Sequence, residues 1–523
     1  MKIKVYVLAV AALALVVSGC QNFDELENNP NVAESVPPSL VFTAIENSLL
    51  EEPWSLEHRY NQFWACNYYY YGNNEYSWTN AELKFQVLKD ITRMEEEAIK
   101  RSAKPLNVYS AIGKYMRARF YVWMTNQVGD LPLKEALQGS GNIAPTYDTQ
   151  KDIFVQVLKW LDEANTDLAA LEITQAADTD PLSTTLAGDI YLNNDLHAWR
   201  KVINSYTLRV LISLSKKEDD ADLNIKSKFA AILADPDKFP LMESSKDNLQ
   251  IAYDGKVSLY PTNPGSRGFD KGRYNMAQTY VQGLTDINDP RAFVTLAPAR
   301  AKLEAGVSFD DFAAYVGASS GESQDDMTFK AGNGEYSFAN QGRYYGTFVG
   351  PEPAMMLTFH EQCFNIAEGI NRGWAAGDAN EYYVTGIKAS MAIYGIGDQS
   401  IITVTSQDDE VLGTVSVDLA DYLAQADVAY KGGADGLTQI LTQKYLAFFQ
   451  NSGLEAFYNQ RRTGVPEFYV GPGTGFGGND PRIPKRWLYP SAEETANASN
   501  LHEALQRQFG GTDTKDGDLW ILK

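Results

Sequence analysis

Residues 67–78 read Asn-Tyr-Tyr-Tyr-Tyr-Gly-Asn-Asn-Glu-Tyr-Ser-Trp, an aromatic string interleaved with amides. Consecutive side chains point in different directions in any local conformation, so four tyrosines in a row cannot all enter one core. Some must stand on the surface, against a ligand or a partner. A flat aromatic face packs on the apolar C–H face of a sugar ring while Asn, Asp and Arg take the hydroxyls, and the same surface can grip a peptide backbone. Tyr68, Tyr69, Tyr70, Tyr71, Asn74, Tyr76 and Trp78 are therefore the candidate ligand-binding residues. The competing reading makes them seals over helix ends and a contact surface for a partner protein.

Motifs for catalysis fail on context. Gly317-Ala-Ser319-Ser-Gly321 has the spacing of a nucleophile elbow, which needs a strand turning sharply into a helix, yet it follows the helical pattern Phe309-Asp-Asp-Phe312-Ala-Ala-Tyr315. Gly473-Thr-Gly475-Phe-Gly-Gly478 has dinucleotide spacing, but no strand precedes it and Asn479-Asp-Pro481 follows where a helix N-terminus should receive phosphate. It is expected to be a flexible surface loop. His360-Glu361 has no second histidine one turn on, so a two-histidine zinc site is not formed. Asp513-Thr-Lys-Asp516-Gly-Asp518 hints at a calcium loop without the closing bidentate Glu. No pair of carboxylates stands out for glycoside hydrolysis. The expectation is a protein that is not an enzyme, with no cofactor and no metal.

Composition narrows the partners. Of 523 residues, 45 are Lys or Arg and 67 are Asp or Glu, a formal charge of -22, which excludes nucleic acid because binding that polyanion relies on basic residues displacing counterions. A single core stops growing at roughly 250 to 300 residues, so the chain needs two domains or an elongated body built of repeated units. Met1-Lys-Ile-Lys4 followed by the apolar run Val5 to Val17 reads as a signal peptide, removed with residues 1–19. Val17-Ser-Gly-Cys20 resembles a bacterial lipoprotein processing box, which makes Cys20 the expected lipidation site and the anchor to the membrane. Residues 20–38, rich in Asn and Pro, form a tether, and a single domain is expected over 39–523. Cys66 and Cys363 are the remaining thiols, read as two buried cysteines with a bridge as the alternative.

The elements that must position these residues are mostly helices. Leu106 to Gln127, stopped by Gly129, is one. Thr149 and Asp152 make a capping box ahead of another that runs to about Leu171, and a third runs from His197 to about Lys216. Ala354–Trp374 and Ala379–Tyr394 read as a helix pair, with a further helix over Leu437–Gln450. Strand alternation is confined to Ile401–Thr405 and Val411–Val417. Helices paired through short turns suggest a tetratricopeptide-like repeat scaffold, although no strict 34-residue period is visible. Long Gly, Asn and aromatic stretches lie between them, at 68–78, 253–280, 329–348 and 468–486, as functional loops or as a cap on the scaffold.

Several strings, in this order, together resemble the SusD/RagB family of outer-membrane nutrient-binding lipoproteins, in particular the SusD-like branch described as starch-binding and associating with the outer membrane. They begin with Cys20, Asp24-Glu-Leu-Glu-Asn-Asn-Pro30-Asn, Arg117-Ala-Arg, Gly129-Asp-Leu-Pro-Leu133 and Trp199-Arg-Lys-Val-Ile-Asn-Ser-Tyr-Thr-Leu-Arg209. They continue with Asn288-Asp-Pro-Arg291, Gly386-Ile-Lys-Ala-Ser-Met391, Gln443-Lys-Tyr445 and Arg461-Arg-Thr-Gly-Val-Pro466. Ile483-Pro-Lys-Arg486, Tyr489-Pro490, Gly510-Gly511 and Trp520 complete the series. The resemblance implies a mainly α fold, a scaffold of four tetratricopeptide-like units with a loop-rich, irregular second half packed on it. It implies a lipoprotein on the outer face of the outer membrane that binds an oligomeric nutrient and delivers it, as a hinged lid, to a SusC-like TonB-dependent transporter. A glycan is the expected ligand; an oligopeptide ligand, or a structural gate with little affinity of its own, are the alternatives. The tyrosine run departs from the spaced tryptophans of the starch-binding prototype, so the resemblance carries over the region after the first long helix and no individual ligand residue.

Overall fold

The computed structural model describes residues 35–477 and 480–523; the signal segment, Cys20 and most of the tether lie outside them. The principal helices are α1 (Pro38–Asn47), α2 (Phe85–Ser102), α3 (Val108–Val128), α4 (Gln150–Ala176), α5 (Leu196–Ser213), α6 (Phe359–Asn371), α7 (Ala379–Ile393), α8 (Gly433–Ala447), α9 (Glu455–Thr463) and α10 (Ala498–Phe509). Helices adjacent in sequence pack on one another, α2 on α3, α4 on α5, α6 on α7 and α8 on α9, and α3 on α4 and α5 on α6 join the pairs. This is the helical-repeat architecture expected from the sequence.

Local chemistry sets the ends of these helices. The Asn107 side chain accepts the Ser110 N–H to start α3, and Gly129, at φ 94°, ends it in a conformation that L side chains rarely adopt. Thr149 accepts the Asp152 N–H at the start of α4 and donates its hydroxyl to the Asp152 carboxylate at 2.7 Å. From there α4 runs five residues beyond the expected Leu171, to Ala176.

Two expectations are corrected. Ala354–Leu357 is a strand, β7, paired antiparallel with β3 (Leu249–Ile251), and the helix starts only at Phe359, where the Thr358 side chain accepts the Glu361 N–H. All four residues of β7 are buried, and a short, wholly apolar run has no periodicity to tell strand from helix. The glycine-rich 473–477 stretch is packed, not a flexible surface loop: Thr474 is buried, and β10 (Thr474–Gly475) pairs in parallel with β2 (Asn74–Glu75). The helix expected from Leu437 begins at Gly433.

Short strands that the sequence could not announce tie the segment before α2 to the second half. β1 (Trp64–Cys66), β4 (Tyr274–Met276), β6 (Phe338–Ala339) and β5 (Leu296–Ala297) form a four-stranded sheet in the order β1-β4-β6-β5. Each is two or three residues long, too short for alternation to show. The expected hairpin is present as β8 (Ser400–Thr405) against β9 (Val411–Val417).

One contiguous hydrophobic core runs from Phe42 to Ile521, and ion pairs cross it between helices. Arg209 of α5 meets Glu361 of α6, and Arg462 of α9 meets Glu368 of α6. Burial alone would raise the Glu368 carboxyl, but Arg462, with Lys444 and Arg372 behind it, holds it down at about 2. Cys66 and Cys363 are both buried and free, and burial lifts the Cys363 thiol to about 12, which leaves it inert.

Candidate functional site

The tyrosine run stands at the exit of β1. β1 pairs antiparallel with β4, Cys66 opposite Tyr274, and the ladder extends one step further through the Asn67 N–H, which donates to the Arg273 carbonyl at 2.9 Å. The Asn67 side chain donates to the Gly272 carbonyl and to the Asn275 side chain. This clamps the base of the loop to the 272–275 segment.

From there the chain coils. Tyr68 is extended, Tyr69–Tyr71 make one 3-10 turn, and Gly72 at φ 113° reverses the path. A 3-10 turn spreads three successive side chains around its axis, so these rings cannot share one buried face. Tyr70 is 84% exposed, Tyr69 63% and Tyr68 42%. Tyr71 is fixed: its hydroxyl donates to the Phe269 carbonyl at 2.7 Å, and its ring sits edge-on to Tyr70 at 5.2 Å. Phe269 itself is 73% exposed beside it. The result is a cluster of exposed tyrosine rings, the platform referred to below, whose base is held through Asn67 and Tyr71.

The rest of the candidate string turns inward, which corrects its assignment to the ligand. The Asn74 side chain accepts the Cys66 N–H at 2.8 Å and donates to the Cys66 carbonyl at 3.1 Å, replacing a strand partner. Tyr76, 1% exposed, stacks on Tyr60 at 5.2 Å and donates its hydroxyl to the Tyr60 carbonyl. Trp78, also 1% exposed, lies flat on Trp487 at 3.6 Å with Phe457 against its edge. None of the three offers a ring or an amide to solvent. They pin the turn to the core, and the exposed rings of the string are Tyr68, Tyr69 and Tyr70.

Sequence reasoning missed what surrounds the platform. Arg273 lies over the Tyr68 ring at 4.6 Å and the Tyr71 ring at 6.0 Å, and Arg59 lies over Trp64 at 5.5 Å, below the Gly72 turn. Both arginines come from parts of the chain with no motif, and only the β1–β4 pairing brings Arg273 to the tyrosines. The short helix Arg267–Asp270 that carries Phe269 also reaches Asp409, through Arg267 at 3.4 Å. Asp409 borders a cleft of about 520 Å³ lined by Asn340, Arg343, Tyr394 and the β8–β9 hairpin. The Arg267–Asp409 pair therefore joins the short helix beneath the tyrosines to the edge of this cleft.

The residues weighed for catalysis and for metal binding take other places in the fold. The Ser319 hydroxyl of the elbow-like motif accepts the Gly321 N–H and meets no histidine among the described residues. His58 and His360 are buried and neutral, burial driving them down to about 3 and about 4. Asp513, Asp516 and Asp518 pair with Arg486, Arg482 and Lys485, and among the described residues no group of acids, histidines and cysteines is arranged to hold a metal.

Residues 30–490 match a SusD-like family described as starch-binding and associating with the outer membrane. The chain is similar in structure to an outer-membrane protein of Bacteroides vulgatus whose description connects it with nutrient binding, at 30% identity over 93% of this chain and 100% of that one, with a TM-score of 0.76. It is similar to a SusD homolog of Bacteroides fragilis at 29% identity, over 93% and 100% of the two chains, with a TM-score of 0.80. A chitin-binding SusD homolog of Flavobacterium johnsoniae shares the fold at 20% identity, over 93% and 95%, with a TM-score of 0.62. No curated protein matches the sequence.

Proposed function

The chain belongs to the SusD-like family of nutrient-binding proteins that associate with the outer membrane, and from that premise we propose that it captures an oligomeric glycan on the Tyr68–Tyr71 platform and passes it to a SusC-like TonB-dependent transporter, over which it sits as a hinged lid. The observation that carries the ligand class is the exposure of three adjacent tyrosine rings on a turn whose base is rigid. Grouped exposed aromatic rings mark an interaction surface, and the apolar C–H face of a sugar ring is a partner on which they can stack. A chitin-binding relative of the same fold supports a saccharide over a peptide. The protein acts by binding alone, with Cys20 lipidated, the tether 20–38 spanning to the membrane and the 39–523 body facing the cell exterior.

A platform that grips sugar must lose affinity when its rings are removed while the fold stays intact. Tyr69→Ala and Tyr70→Ala are each expected to weaken glycan binding by about 1–3 kcal/mol, the scale for a stacked aromatic contact. Their melting temperatures should stay within about a degree or two of the parent, since surface substitutions away from special features shift stability by about 0.5 kcal/mol or less. Glycan-array and calorimetric titration of both variants checks this. Unchanged affinity in both would remove the platform from the site.

A further inference from the structure

The arginines buried in the scaffold each meet a carboxylate: Arg119 pairs with Glu51, Arg209 with Glu361, Arg291 with Asp289 and Arg462 with Glu368. That is what the solvation cost of a buried charge demands. Half-buried Arg461 meets backbone carbonyls instead, and the two arginines at the tyrosine platform meet neither a carboxylate nor such a carbonyl among the described residues. Arg273 is exposed, lies over Tyr68 and Tyr71, and has no carboxylate within ion-pair distance among the described residues. Arg59 is half-buried under the Gly72 turn; its Nε is sealed from solvent and meets no acceptor, and no described carboxylate reaches its guanidinium. Two guanidinium groups without a carboxylate partner thus stand beside one exposed aromatic turn, and Asp270 and Glu75 pair with neither.

We infer that the platform selects a glycan bearing carboxylates, a uronic-acid-containing oligosaccharide, whose rings stack on Tyr69 and Tyr70 while Arg273 takes the sugar carboxylate; this rests on the glycan reading above. A guanidinium held against a ring keeps its N–H donors on its edge, in the planar fork that matches the two oxygens of a carboxylate. The aromatic stack also fixes the side chain in advance, so little rotamer entropy is lost when the anion arrives. Arg59, below the turn, adds positive potential at short range.

The test is calorimetric titration of the purified protein with oligogalacturonate, its methyl-esterified counterpart, a neutral xylo-oligosaccharide and a sulfated oligosaccharide, each with the parent, Arg273→Gln and Tyr70→Ala. Esterification keeps ring and linkage and removes only the charge. The expected result is saturable binding of oligogalacturonate, at least tenfold tighter than the ester, weakened at least tenfold by Arg273→Gln and progressively by added salt. Equal or tighter binding of the ester or the xylo-oligosaccharide, unaffected by Arg273→Gln yet lost in Tyr70→Ala, would overturn the carboxylate selection and leave the glycan platform standing. Preference for the sulfated chain would overturn it in favour of another anion. Failure of all four probes, with Tyr70→Ala indistinguishable from the parent, would overturn the glycan reading itself.

Discussion

Trp78 and Tyr70 are eight residues apart in one aromatic string, and they have opposite fates. Trp78 is sandwiched by Trp487 and Phe457, so Trp78→Ala is expected to cost about 3–5 kcal/mol of stability, as for other buried aromatics, and to affect ligand only through unfolding. Chemical denaturation of that variant beside Tyr70→Ala separates the two roles, and a Trp78→Ala protein as stable as its parent would contradict them. The sequence made it plain that the four tyrosines could not all be buried, but composition alone could not say where the string dives. That is decided by Gly72, by the Asn74 contacts to Cys66, and by pairing with β10 some 400 residues away. Glu46 is a second residue that no pattern marks. Burial, with Asp189 beside it, raises its carboxyl to about 9, so the folded state holds a proton there that the unfolded chain releases near 4.5. Between those values the native state binds more protons than the unfolded one, so stability falls as pH rises from about 4.5 to about 9. Glu46→Gln should flatten that limb, read as a melting temperature that no longer drops between pH 5 and pH 8.

At the scale of elements, the strings that pointed to the family turn out to hold helices together. Asn288-Asp-Pro-Arg291 places the Arg291 guanidinium on Asp289, on Ser390 of α7 and on Gln443 of α8, so three separate strings meet in one buried network. Arg209, the last residue of another string, reaches Glu361, and Arg461 donates to the carbonyls of Asn126 and Lys485. These positions are legible because a buried charge tolerates few substitutes and must stand at a fixed place along a helix. The platform has no such constraint, since surface rings can be exchanged without disturbing a helix, so it carries no recognisable string. Arg462 and Glu368 show the cost of breaking such a contact. Glu368→Ala leaves a buried arginine without its carboxylate and is expected to lose about 3–5 kcal/mol. The Glu368 carboxyl is depressed in the fold, so its contribution is present above the unfolded value of 4.5 and is lost as pH falls through about 2. Acid titrations of the parent and Glu368→Ala should therefore converge at the low end, and parallel curves would contradict the pair's role. The short strands and β7 stayed hidden because two to four residues give no period, and their partners are distant in sequence.

Across the whole molecule, helix pairs supply a frame, and pairing of the segment before α2 with the start of the second half brings Tyr68–Tyr71 and Arg59 together with Phe269 and Arg273. Helical periodicity made the frame readable; the platform arises from long-range pairings, β1 with β4 and Tyr71 with Phe269, that no local pattern encodes. The proposed lid role requires that the protein stay at the membrane, and the proposed anchor is the lipid on Cys20. Cys20→Ala is expected to leave an unprocessed, unlipidated precursor, seen as loss of labelling by a radiolabelled fatty acid and release of the protein from the membrane fraction; normal labelling would place the lipid elsewhere. The central claim, however, is that this frame exists to present Tyr68–Tyr71 to a glycan. The most direct measurement is isothermal titration of the purified protein and of its Tyr69→Ala/Tyr70→Ala double variant against a panel of plant and bacterial oligosaccharides. The account predicts saturable binding to at least one glycan by the parent and its loss in the double variant at an unchanged melting temperature. Equal binding by both proteins, or binding by neither, would contradict it.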